Sequence, residues 1–91
     1  MEAIRVRVRL FGAFRKYSER AEVALDVPRG TTVAALRRHL GEALRAACPG
    51  FADQPLLDIS ALADDERILD DAHLLGGDRL SLAVLPPVCG G

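Results

Sequence analysis

The chain has 91 residues, of which 49% are hydrophobic and 27% charged, with a formal net charge of −1. That length suits one small domain able to bury about 60–65% of its unfolded surface, so a single core suffices without staples. No apolar run reaches the length of a membrane span, and Met1-Glu2-Ala3-Ile4 lacks the basic-then-apolar pattern of a secretory signal, so a cytoplasmic location is expected. Two cysteines, Cys48 and Cys89, and two distant histidines, His39 and His73, argue against a disulfide framework and against a zinc site.

Ile4-Arg5-Val6-Arg7-Val8-Arg9-Leu10 alternates strictly, with Ile4, Val6, Val8 and Leu10 on one face and three arginines on the other, which predicts a strand with one buried side. Residues 11–19 lose the alternation and read as a loop or a short helical turn. Val23, Leu25 and Val27 restore it. Antiparallel pairing of these two strands would set Arg9 opposite Glu22 and Arg5 opposite Asp26, offsetting repulsion among the arginines. Pro28-Arg29-Gly30 breaks the second strand, and Thr31 or Thr32 supplies a helix N-cap. Val33, Leu36, Leu40, Leu44 and Ala47 then fall on one side of a helix, with Arg37, Arg38, Glu42 and Arg45 mostly elsewhere. Gly41 weakens this helix slightly, and Pro49-Gly50 ends it.

Residues 51–57 show no clear period. Residues 57–62 (LDISAL) predict a third strand, residues 63–66 a turn, residues 67–69 a short edge strand, and residues 70–73 a single helical turn. Gly76-Gly77-Asp78 is a turn signal. Residues 79–85 form the last strand, with Leu80, Leu82 and Val84 on one face. A hairpin, a helix and further strands predict an α+β domain: a mixed sheet of four or five strands with one main helix on one face. The first and last strands, the most apolar, are expected side by side at its centre. Ten Lys/Arg against five Asp/Glu fall in residues 1–50, and two against eight in residues 51–91. The basic residues are spread over several elements and no aromatic residues interleave with the three arginines, so neither a nucleic acid nor a membrane is expected as a partner.

The most informative segment is Pro86-Pro87-Val88-Cys89-Gly90-Gly91. Proline fixes φ and offers no N–H, so Pro86-Pro87 cannot continue a central strand, and Leu85 is held extended. Gly90 and Gly91 have no Cβ and pass through a channel too narrow for other residues. Residues 1–85 are therefore expected to form the domain, and residues 86–91 a flexible tail reaching about 20 Å at ~3.3 Å per residue. A stiff stalk with a side-chain-free tip is suited to presenting one carboxylate to another protein's active site.

The order of elements and the tail resemble the ubiquitin-like β-grasp sulfur carriers, and among them the small subunit of molybdopterin synthase. Residues 8–15 (VRLFGAFR) are similar to that subunit's first strand and the Phe-containing turn after it. Residues 27–36 (VPRGTTVAAL) are similar to the start of its helix, residues 74–80 (LLGGDRL) to the turn before its last strand, and residues 85–91 (LPPVCGG) to its tail. Two features depart from the pattern. Cys89 stands where a small non-thiol residue is usual, and residues 61–65 lack an asparagine-containing turn.

The resemblance implies a function for the tail. The Gly91 carboxylate, ionised at pH 7, is a poor electrophile. An E1-like enzyme would adenylate it with ATP, and sulfur would displace AMP to leave a thiocarboxylate. In molybdopterin synthase the loaded tail enters the large subunit and gives sulfur to a pterin precursor, forming the dithiolene that holds molybdenum. On that reading the chain binds no cofactor and is not an enzyme by itself. Gly91 is the reacting residue; Gly90, Cys89, Val88, Pro87 and Pro86 are recognised by the partner; Phe11, Phe14 and Leu85 are candidates for a docking surface beside the tail. The acceptor could equally belong to thiamine, cysteine, thiolated tRNA or secondary-metabolite synthesis, and a ubiquitin-like binding module with an unactivated tail is the alternative from another class. Cys89 either takes part in sulfur handling or simply fits the channel. Cys48 is expected to be a buried or half-buried helix-end residue, and Asp64, Asp65, Glu66, Asp70 and Asp71 to be turn formers without the spacing of a calcium loop.

Overall fold

The computed structural model describes residues 3–87; Val88, Cys89, Gly90 and Gly91 lie outside the described residues. Four strands, β1 (Ala3–Leu10), β2 (Glu22–Pro28), β3 (Ala61–Ala63) and β4 (Arg79–Leu85), form one mixed sheet in the order β2-β1-β4-β3. β1 runs antiparallel to β2 and parallel to β4, and β3 runs antiparallel to β4. The first and last strands are thus the central pair, as their apolar faces predict. The β1–β2 register sets Arg5 opposite Asp26 and Arg9 opposite Glu22, as expected from face alternation and charge.

Helix α1 (Val33–Ala47) covers one face of this sheet. Its N-cap is Thr32, whose Oγ1 accepts from the Ala35 N–H at 3.1 Å. The next unsatisfied helix donors are met from the loop before β4: Val33 N–H donates to the His73 carbonyl and Ala34 N–H to that of Asp71, both at 3.0 Å. Ile4, Val6, Val8 and Leu10 of β1 meet Leu36, Leu40 and Leu44 of α1, Val27 of β2 and Leu82 and Val84 of β4 in one core, each of these side chains at most 2% exposed. Burying each such side chain is worth about 1.5–3 kcal/mol, enough together to override the modest helix cost of Gly41.

Gly41 also has a packing reason. It is buried where a second, short helix α2 (Gln54–Asp58) crosses α1, and a Cβ there would run into the side-chain amide of Gln54. Residues 57–62 are therefore not one strand: Leu57 and Asp58 end α2, and pairing begins only at Ala61. Pro55 lies in the first turn of α2, where its missing N–H is harmless, and the Leu57 N–H donates to the Asp53 carbonyl at 2.9 Å. Leu57 is buried while Ile59 is 68% exposed, so the apparent alternation does not describe one face. The expected edge strand at residues 67–69 reduces to a single bridge between Ala63 and Ile68, because a tight turn at Asp64–Arg67 leaves no length for a ladder. Residues 70–73 form a turn closed by His73 N–H to the Asp70 carbonyl. The segment at residues 11–19 holds a 3₁₀ helix, Gly12–Tyr17.

Two helix positions differ from expectation. Ala47 is exposed, and Arg37 is buried. Nε and an Nη of Arg37 donate to the Ser60 carbonyl at 3.2 and 2.9 Å, and its other Nη to Asp71 Oδ1 at 2.6 Å. One side chain thereby ties α1 to the start of β3 and to the loop that caps the helix. Among the described residues, no helix is long and apolar enough to cross a membrane.

Candidate functional site: the root of the tail

β4 is paired on both sides, and its last residue, Leu85, lies opposite Ala61. Leu85 and Pro86 are half-buried and Pro87 is exposed. The chain thus leaves the fold from the end of a central strand, at the prolines that prevent further pairing.

The turn after β1 holds that exit in place. Gly12 has φ +58°, a left-handed conformation that costs an L side chain about 1–2 kcal/mol. A Cβ on Gly12 would stand 2.8 Å from Cγ of Pro86. The backbone at Gly12 is therefore a seat for the first proline of the stalk. Phe11, Ala13, Leu56, Leu85, Pro86 and Pro87, with Gly12, line an open groove of about 700 Å³ around this contact, almost wholly apolar. Phe11 is 40% exposed, and the Arg9 guanidinium carbon stands 6.0 Å from its ring centre.

Of the predicted docking residues, Phe11 and Leu85 lie together here. Phe14 does not: it is fully buried, because the 3₁₀ helix turns its ring into the core while Phe11, at the helix N-cap, stays outside. Gly12, Ala13 and Leu56 escaped the sequence reading. A glycine two residues after the end of a strand is a signal for Gly12; the small alanine and the α2 leucine give none.

Among the described residues no acid, base or nucleophile lines the groove. Among the described residues no three His, Cys, Asp or Glu side chains gather where they could hold a metal ion. The perturbed titrations lie elsewhere. The Tyr17 hydroxyl donates to Asp53, and that hydrogen bond, with burial and the carboxylate charge, pushes its pKa from 10.0 up to about 12. Phe51 packs edge-on against Tyr17, with ring centres 4.9 Å apart. The Asp64 carboxyl is held below its usual range by the N–H groups of Glu66 and Arg67, at 2.8 and 2.9 Å, which close the turn. Cys48 is half-buried at the end of α1, as expected.

Comparison with known proteins agrees with this anatomy. The fold matches SAMP1 of Haloferax volcanii with a TM-score of 0.68 and 24% identity, over 96% of this chain and 99% of that one. It matches a Pyrococcus furiosus protein described as molybdopterin converting factor, subunit 1, with a TM-score of 0.65 and 22% identity, over 93% and 99%. It matches a ubiquitin of Caldiarchaeum subterraneum with a TM-score of 0.60 and 19% identity, over 98% and 99%. No curated protein sequence matches the chain significantly. These structures establish a β-grasp fold. The ThiS family model matches residues 8–91. That match, over nearly the whole sequence, makes this chain a member of the ThiS family of ubiquitin-like sulfur carriers.

Proposed function

We propose that Gly91 is adenylated by an E1-like enzyme at the expense of ATP, converted to a thiocarboxylate, and used to donate sulfur for molybdopterin synthesis. The Gly91 carboxylate oxygen attacks the α-phosphorus of ATP and releases pyrophosphate. A sulfide-level nucleophile then attacks the acyl carbon and releases AMP. The resulting C–S group is a soft nucleophile on a narrow, extended stalk. Family membership supports the carrier role and an E1-like partner. The choice of acceptor is supported by the likeness to the Pyrococcus furiosus protein and by residues 85–91.

The observation that carries this reading is the seat of Pro86 on Gly12. It supports a stalk that starts at Pro86, from which the residues that follow would be offered to a partner. The prolines reduce the conformational freedom lost when the stalk is bound, and the partner's backbone hydrogen bonds must order the glycines. Phe11 and Leu85 give the partner apolar contact beside the exit. The chain acts as a donor, and catalysis belongs to its partners.

The test is to incubate the protein with ATP, a sulfur source and its activating enzyme, then measure its intact mass. A gain equal to one oxygen replaced by sulfur is expected. No gain with an enzyme that loads another carrier refutes the proposal. Loaded protein offered to a molybdopterin synthase large subunit with its pterin precursor should lose that sulfur. A thiocarboxylate that persists there assigns the chain to a different acceptor.

A further inference from the structure

The face of the sheet away from α1 is ordered into rows by strand register. Arg5 has Asp26 on one side and Arg79 on the other; Arg7 lies between Ala24 and Ser81; Arg9 lies between Glu22 and Ala83, with Ala63 beyond. Towards β2 the arginines are balanced: Arg5 pairs with Asp26 and Arg7 with Glu22, each at 3.5 Å. Towards β4 they are not. The register partner of Arg5 there is another arginine, and among the described residues no carboxylate lies within ion-pair reach of Arg79. Like charges on adjacent strands repel. This sequence therefore keeps a charge arrangement that works against its own fold.

Arg5, Arg7, Arg79, Leu80 and Ser81 line an open groove of about 500 Å³. A strand rise of ~3.3 Å puts Arg5, Arg7 and Arg9 about 7 Å apart along β1, with Arg79 about 5 Å across on β4. Guanidiniums spread in this way do not converge on a single small anion. They match several carboxylates on a broad surface. No aromatic side chain lines the groove, so it lacks the stacking platform of a single-stranded nucleic-acid site. Arg79 and Leu85 are the two ends of the seven-residue β4, so the patch lies about 20 Å from the tail's exit, on the same face as Leu85.

We propose that this basic end of the sheet docks an acidic surface on the E1-like activating enzyme that loads the tail. The carrier is then held at two points about 20 Å apart: tail and apolar root at one end, arginines at the other. The inference rests on the carrier reading and adds what kind of surface the partner presents. Exposed arginines of this type act mainly on the rate of encounter and its salt dependence.

The test is Arg79→Glu, assayed by the initial rate of sulfur loading against carrier concentration. In the free protein the new carboxylate faces Arg5, so the variant should melt no lower than wild type. Its kcat/KM should fall about tenfold at low ionic strength, with a flatter salt dependence, and the rate should recover at saturating carrier. Arg38→Glu makes the same charge change on the exposed face of α1 and should stay within about twofold of wild type. An Arg79→Glu protein that loads with wild-type kcat/KM and salt slope, or that falls no further than Arg38→Glu, overturns the docking surface alone. A wild-type protein that gains no sulfur overturns the carrier reading beneath it, and the docking surface with it.

Discussion

Gly12→Ala tests the seat of the tail most directly. The substitution has two separable costs. An alanine must hold φ near +58°, which disfavours an L residue by about 1–2 kcal/mol. Its Cβ must also push Cγ of Pro86 from 2.8 Å out to an ordinary contact of 3.4 Å or more. Pro86 is a ring fixed to the backbone, so it cannot swing aside as a flexible side chain would; overpacking of this kind costs about 1 kcal/mol or somewhat more. The total, roughly 2–3 kcal/mol, should lower the melting temperature by roughly 10–20 °C for a domain of this size. Thermal denaturation followed by circular dichroism measures the sum. A double-mutant cycle with Pro86→Ala separates the parts, because truncating the ring removes the clash and leaves the left-handed backbone cost. The cycle should return a coupling of about 1 kcal/mol. A Gly12→Ala protein melting within about 2 °C of wild type, or a cycle with no coupling, would show that Pro86 does not rest on Gly12 and would remove the argument for a fixed exit.

Arg37→Leu keeps the apolar stem but leaves the buried Ser60 carbonyl without its donor, and should cost about 2–3 kcal/mol in a urea titration. Asp71→Asn should cost less than about 1 kcal/mol, since the Asp71 side chain is 70% exposed. Tyr17→Phe removes the hydrogen bond to Asp53 and should lose about 1–3 kcal/mol near neutrality. The folded-state pKa of Tyr17 is raised, so its contribution is full below pH 10 and fades as pH climbs towards about 12. Urea titrations at pH 7 and pH 11 should therefore show the gap between wild type and Tyr17→Phe narrowing; an unchanged gap refutes the coupling. Cys89→Ser should retain most sulfur transfer, as measured by intact mass and release to the acceptor. Its loss in a protein that is still adenylated would make the thiol a participant.

The elements most legible in the sequence are those whose identity is carried by neighbours along the chain. β1, β2, β4 and α1 each state their buried face by period, and the opposite charges of Arg5 and Asp26 and of Arg9 and Glu22 added the register. Residues 51–57 show no clear period, and residues 57–60 imitate the start of the strand through Leu57 and Ile59, while the evidence for α2 lies in Pro55 at its first turn and in the gap left by Gly41 on another helix. Arg37 looked like a solvated helix residue. Its main partner is a backbone carbonyl at Ser60, an atom that every residue type possesses and that no pattern can announce. The same holds for the site. Pro86-Pro87 is plain in the sequence as the stop to the last strand, whereas the contact on Pro86 joins a turn after the first strand to the residue after the last.

The placement of β4 bears on how the tail can work. An edge strand can peel away one row of hydrogen bonds at a time, and a tail attached to it would shift when a partner ordered the tip. β4 is bonded to β1 on one side and β3 on the other, and Leu82 and Val84 are among the most buried residues of the fold. Opening it approaches the cost of global unfolding rather than local fraying. A partner that pulled on the chain beyond Leu85 could therefore not drag out strand residues. Pro86 reinforces the boundary from outside, since without an N–H it cannot extend the ladder with β1 or β3. The paired strand thus ends within about one residue of Leu85. On the proposed reading, a body destabilised by a core substitution such as Leu40→Ala should therefore still be loaded with sulfur normally for as long as it remains folded.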